Sequence, residues 1–81
     1  MLLVIDAGNT NITIGAYNGD DLVFVSRFAT DRTLTADRIA IDINSIFTLY
    51  NVESRSFRGA IISSVVPELT LALKNAISRI T

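Results

Sequence analysis

The residues whose types could do chemistry together stand near the N-terminus, in the stretch Asp6, Ala7, Gly8, Asn9, Thr10 and Asn11. One carboxylate ends a greasy run, and two carboxamides and a hydroxyl then gather round a glycine. A carboxylate closing a strand buried on both faces is costly unless it meets water, a partner or a cation. Open α/β sheets place their ligands at the C-terminal ends of strands. Gly8 permits close approach of backbone to something bulky. Successive backbone N–H groups in a tight turn form a concavity for an anion. A carboxylate beside such a nest makes sense with a divalent cation between them, since Mg²⁺ is typically held by one or two carboxylates and phosphate oxygens. The chemistry that this pattern supports is a Mg²⁺-nucleotide phosphate site. The same letters also spell an ordinary turn, in which Asp and Asn bond their own backbone and Gly8 takes positive φ.

The elements around the turn narrow the choice. Residues 2–6 are apolar without alternation, which predicts a strand buried on both faces. Residues 11–17 alternate, with Ile12, Ile14 and Ala16 on one face and Thr13, Gly15 and Tyr17 on the other. Asn18-Gly19 followed by Asp20-Asp21 marks a hairpin turn. Residues 22–29 make a third strand, with Phe24 and Phe28 opposite Val23 and Val25. The period then changes. Thr33 and Thr35 are candidate N-caps, and Asp37 is a first-turn acid. Ala36, Ile39, Ala40, Ile43, Ile46, Phe47 and Tyr50 form one helical stripe, with Ile41 off it. Residues 51–58 read as a loop. The run "GAIISSVV" reads as a strand parallel to the first. Pro67 opens a second helix, with Leu69, Ala72, Leu73, Ala76, Ile77 and Ile80 on its stripe and Leu71 outside. The order β-β-β-α-β-α predicts a mixed sheet in which the right-handed crossover brings the fourth strand beside the first.

The phosphate loop would therefore sit inside a β-hairpin. That excludes a Walker A loop, which needs Lys-Ser/Thr and a following helix. It also excludes the GxGxxG dinucleotide fingerprint. Composition removes other classes. Seven basic and eight acidic residues show no basic stripe, so nucleic acid is not implied. Neither Cys nor His is present, so acid–base work falls to carboxylates. No stretch approaches a membrane span of ~20 apolar residues. Cytoplasm is the expected location.

"DAGNTN" within a hairpin resembles the first phosphate motif of the acetate/sugar kinase, Hsc70 and actin superfamily, whose domains have a ribonuclease-H-like core. More narrowly, "LLVIDAGNTNITIGAY", "ATDRTLTAD" and "ISSVVP" together resemble type III pantothenate kinase. The fold class expected is α/β: a ribonuclease-H-like mixed sheet forming the incomplete first half of a two-domain actin-like ATPase fold. The resemblance implies a kinase that phosphorylates pantothenate with ATP, the first step of coenzyme A synthesis. It also implies Mg²⁺, a monovalent cation (K⁺ or NH₄⁺) and a cytoplasmic homodimer. It places the ATP site on Asp6, Ala7, Gly8, Asn9, Thr10, Asn11, Ile12 and Thr13, with Asp6 holding Mg²⁺ through water. The family's catalytic Asp, pantothenate pocket and monovalent-cation ligand fall beyond residue 81. Residues 1–81 are thus expected to be an N-terminal ATP phosphate-binding domain, inactive alone and lacking its second domain, with a homodimer mate or the missing C-terminal domain as partner. The alternatives are a non-catalytic nucleotide-binding, assembly or regulatory module, and another sugar- or acetate-kinase-like phosphotransferase.

Other residues carry two readings each. Arg32, in the Thr30-Asp31-Arg32 segment, stands either near phosphate or paired with Asp31 on a solvated loop, the second being favoured. Ser63 and Ser64 either line the cleft or satisfy backbone before the Pro67 helix. Asp20 and Asp21 read as solvated turn acids. Tyr50 and Phe57 read as core or interface, and Lys74 and Arg79 as a solvated helix face.

Overall fold

A computed structural model describes residues 1–80. Its order is β1 (Leu2–Ala7), β2 (Asn11–Asn18), β3 (Asp21–Ala29), α1 (Ala36–Leu49), a 3₁₀ turn (Ser54–Ser56), β4 (Gly59–Ser64) and α2 (Pro67–Ile80). The four strands make one sheet in the order β3-β2-β1-β4. β1 pairs antiparallel with β2 and parallel with β4, and β2 pairs antiparallel with β3. The expected mixed sheet and the neighbouring parallel pair are both present.

Alternation decides which face of the sheet is covered. Leu3, Ile5 and Ala7 of β1 share a face with Ile12, Ile14 and Ala16 of β2 and Phe24 of β3, and all are buried. They form one core with Ile39, Ile43 and Phe47 of α1 and Leu69, Leu73, Ala76 and Ile77 of α2. Burial of one such branched side chain contributes about 1.5–3 kcal/mol, so this face carries the fold's cohesion. Phe24 also stacks on Tyr50, and Phe47 on Phe57, closing the α1 end of the core.

The opposite face departs from expectation. Tyr17, Leu22, Val25 and Ile61 lie on it and are exposed. β1 and β4 are therefore not buried on both faces. The cause is that both helices pack on the same side, which leaves the other side of every strand uncovered. Ile41 and Leu71 point outward as their positions off the stripes imply.

Local signals set the element ends. The Thr35 hydroxyl caps α1 by accepting from the Arg38 N–H at 3.2 Å. Asn51, at φ 58°, ends that helix in the left-handed region. The Val52 N–H bonds the Phe47 carbonyl and the Asn51 N–H bonds the Thr48 carbonyl, the paired bonds of a Schellman motif. Within residues 51–58, Ser54–Ser56 form a 3₁₀ turn rather than plain loop. At the second hairpin, Asn18 pairs with Asp21, so Gly19 and Asp20 make the turn. β3 then carries one extra residue, Val23, between the Tyr17–Leu22 and Ala16–Phe24 pairs.

Candidate functional site at the first hairpin turn

β1 hands over to β2 through three residues, Gly8, Asn9 and Thr10. The Gly8 N–H donates to the Asn11 carbonyl at 2.9 Å and draws the turn tight. Gly8 does not take positive φ; its requirement is space. A Cβ there would stand 3.3 Å from the Asn11 carbonyl oxygen, closer than such contacts comfortably lie. Asn9, Thr10 and Asn11 are exposed. Among the described residues, the N–H groups of Asn9 and Thr10 have no protein acceptor. Unclaimed neighbouring donors on a tight turn are what an anion nest needs.

The segment after β3 braces this turn. The Thr30 N–H donates to the Thr10 carbonyl at 2.8 Å, and the Thr30 hydroxyl to the Gly8 carbonyl at 2.7 Å. From β4, the Val65 N–H donates to the Ala7 carbonyl at 3.0 Å. The Gly8 and Thr10 carbonyls are thereby occupied, while the Asn9 and Thr10 N–H groups stay open. That asymmetry suits an anion better than a cation.

Asp6 is exposed on the uncovered face, one residue before the end of β1. The cost expected of a carboxylate on a doubly buried strand therefore does not arise. The register puts Ser63, Asp6, Thr13 and Arg27 in one row across four strands. Adjacent strands lie about 4.8 Å apart, so Ser63 and Thr13 flank Asp6 directly and Arg27 stands one strand further. Ala7 and Ile12 face the core instead, and they shape the turn through backbone alone. Arg27 had no part in the sequence reading. Its signal was available: it breaks the apolar run of Val23 and Val25 on the outer face of β3.

Arg32 does not pair with Asp31. Its guanidinium donates to Asn9 Oδ1 at 3.1 Å, and its Nε lies 3.0 Å from Glu68 Oε2 at the start of α2. Asp31 instead accepts from the Thr33 N–H at 2.9 Å and the Thr33 hydroxyl at 2.6 Å. The hydroxyl first, and the N–H second, hold the Asp31 carboxyl below its ordinary range. The pairing failed because an Asp two residues before a Thr closes its own local turn. That frees Arg32 to reach across to the first hairpin. Glu68 carried no signal beyond its place in a helix's first turn. Ser64 is occupied: its hydroxyl accepts from the Val66 N–H at 3.1 Å and donates to the Val66 carbonyl at 3.2 Å. Ser63 alone of the two serines faces the Asp6 row.

Elsewhere, an open pocket between the end of β3 and the start of α1 is lined by Phe28, Asp31, Leu34, Arg38 and Asp42. Arg38 and Asp42 pair there at 3.3 Å. Among the described residues no cluster of three carboxylates could cage a metal, and no helix is long and apolar enough to cross a membrane.

A β-β-β-α-β-α order on a 3-2-1-4 mixed sheet, with a polar turn inside its first hairpin, defines the first half of an actin-like ATPase fold. A family model for type III pantothenate kinase matches residues 2–81. The chain is 46% identical over 79 residues to the type III pantothenate kinase of an Exiguobacterium species, covering 98% of this chain and 31% of that protein. It is 50% identical over 74 residues to the enzyme of that name from Geobacter sulfurreducens, covering 91% of this chain and 29% of that protein. The Brevibacillus brevis relative is 46% identical over the same share. The chain belongs to the type III pantothenate kinase family, and it spans about 30% of the length of these curated relatives.

Proposed function

We propose that residues 1–81 are the ATP phosphate-binding part of an enzyme that phosphorylates pantothenate to 4′-phosphopantothenate, the first step of coenzyme A biosynthesis. The observation that carries this reading is the first hairpin turn. Its Gly8 and Thr10 carbonyls are braced from outside, its Asn9 and Thr10 N–H groups are unclaimed, and a lone exposed carboxylate, Asp6, stands beside them.

In this reading Asn9, Thr10 and Asn11 donate to phosphate oxygens, and Gly8 keeps the turn tight enough to present them together. Thr13 lines the floor next to Asp6. Asp6 offers one hard oxygen donor, flanked by the hydroxyl residues Ser63 and Thr13. One carboxylate is sufficient for Mg²⁺, which takes its remaining ligands from water and nucleotide phosphates. The donor set therefore fits that ion, held through water by Asp6. When bound, Mg²⁺ supplies charge neutralisation to the phosphate oxygens. The protein's own contribution on this side is positioning, which dominates phosphoryl transfer because the protein makes little covalent chemistry. The remaining components belong to the same proposal: a second domain bearing the catalytic carboxylate and the pantothenate pocket, a K⁺ or NH₄⁺ site, a homodimer and a cytoplasmic location.

The test is Asp6→Asn in the full-length enzyme carrying this segment, assayed for ATP-dependent phosphopantothenate formation across a Mg²⁺ series. Asn keeps the size and loses the charge. Turnover is expected to fall at saturating ATP with the fold intact. Normal turnover and normal Mg²⁺ dependence would return the stretch to an ordinary turn.

A further inference from the structure

Among the described residues, Arg32 is the charged side chain hydrogen-bonded to the first hairpin turn, and what it holds there is a carboxamide. A guanidinium carries donors only. The Asn9 atom facing it is therefore the oxygen, and the Nδ2 group is turned away from it. Among the described residues, no protein acceptor takes the Nδ2 hydrogens. An exposed Asn without such a partner rotates freely and presents its oxygen as readily as its N–H₂. An oxygen turned outward would repel a phosphate.

Glu68 grips the same guanidinium through Nε. The fork is planar and rigid, so two contacts on it fix its direction. The two side chains are 51% and 52% exposed, and a surface pair of this kind adds little stability. Their charges also cancel, so the pair adds little attraction for an anion. Orientation is what remains for it to contribute.

We infer that Arg32, held by Glu68, is a positioning residue for nucleotide binding: it turns the Asn9 carboxamide so that its N–H₂ meets the phosphate oxygens. The inference rests on the reading of the turn as a phosphate site, and it joins three separate elements in one latch. The loop before α1 supplies Arg32, the first turn of α2 supplies Glu68, and the hairpin supplies Asn9.

The experiment measures binding of a non-hydrolysable ATP analogue with Mg²⁺ by calorimetry, in the full-length enzyme. The variants are Asn9→Ala, Arg32→Met and the two combined. Each single change is expected to weaken binding about tenfold, the loss of one hydrogen bond to a charged group. The double variant is expected to bind no more weakly than Asn9→Ala, because the two residues act through one contact. Arg32→Met with unchanged affinity, or a double variant whose losses multiply, overturns the positioning role while leaving the phosphate site standing. Asn9→Ala without effect overturns the phosphate contact itself, and the latch with it. Should Arg32→Met fail to fold, Arg32→Lys carries the test. Lysine keeps the charge but loses the planar fork, so the weakened binding is expected to persist; full affinity would show that charge alone suffices and would overturn the inference.

Discussion

The two hairpin turns of this sheet are close in length and opposite in design. The second, Gly19 and Asp20, solves its own problem. Gly19 sits at φ 63°, nothing approaches the space a side chain would fill, and Asn18 and Asp21 pair across its base. The first, Gly8 to Thr10, is held by others: Thr30 on two carbonyls, Arg32 on a carboxamide, and a glycine whose side-chain space is taken by a carbonyl. A turn that only reverses the chain needs favourable dihedrals. On the proposed reading the first turn presents unpaired donors in a fixed geometry, and the props from outside hold it so.

The largest effect should come from erasing that difference. Replacing the residues of the first turn by those of the second, in the full-length enzyme, is expected to leave a folded protein. Its turnover should fall at least about 100-fold, the scale of losing preorganised donors at a charged reaction centre. The reverse graft, first turn into second position, should leave turnover unchanged. Steady-state kinetics with circular dichroism on both grafts checks the pair. Equal loss in both would mean that the hairpins differ in nothing that matters to catalysis.

Thr30→Val ranks next, because it removes a prop and leaves the turn's own sequence intact. Valine matches threonine in shape and cannot donate to the Gly8 carbonyl, which is a half-buried contact. The expected loss is about 1 kcal/mol of stability, together with weaker ATP binding as the turn loosens. Chemical denaturation and calorimetry measure the two separately. Loss of stability without any loss of ATP affinity would reduce Thr30 to ordinary packing.

Gly19→Ala sharpens the comparison from the other side. At a left-handed φ an alanine costs about 1–2 kcal/mol, and the open space around Gly19 adds no clash. Stability should fall by that amount while ATP affinity stays at its wild-type value.

These contrasts also show what the residues make legible in advance. The pattern of apolar residues located every strand and both helices: alternation marked β2 and β3, a 3.6-residue period the helices, and unbroken runs β1 and β4. It did not reveal that the outer face of β1 and β4 is bare. A continuous apolar run looks the same whether one side or both sides are covered, and coverage depends on where the helices pack. The polar turn was readable as a candidate site from its residue types alone. Its props were not, since Arg32 meets Asn9 only once β3 pairs with β2, and meets Glu68 only once the crossover sets β4 beside β1. Asp31 beside Arg32 offered an adjacent pairing that a local Asp-to-Thr turn outcompetes.

That local turn yields the smallest effect and the most direct check on the bracing segment. Asp31 accepts two hydrogen bonds from Thr33, which favour its charged form and lower its pKa in the folded protein. A depressed carboxylate contributes stability that is present above its unfolded pKa of about 4 and lost as pH falls through the lower folded value. The contribution is small because the side chain is exposed. The carboxyl resonance of Asp31, followed by NMR from pH 6 downward, should titrate below the ordinary aspartate midpoint. Thr33→Val removes the hydroxyl, the larger cause, so the midpoint should move back up while the backbone N–H keeps it from returning fully. A midpoint that does not respond to Thr33→Val would mean that the Asp31 turn is not formed in solution. The segment bracing the first hairpin would then lack the local closure that leaves Arg32 free to reach Asn9.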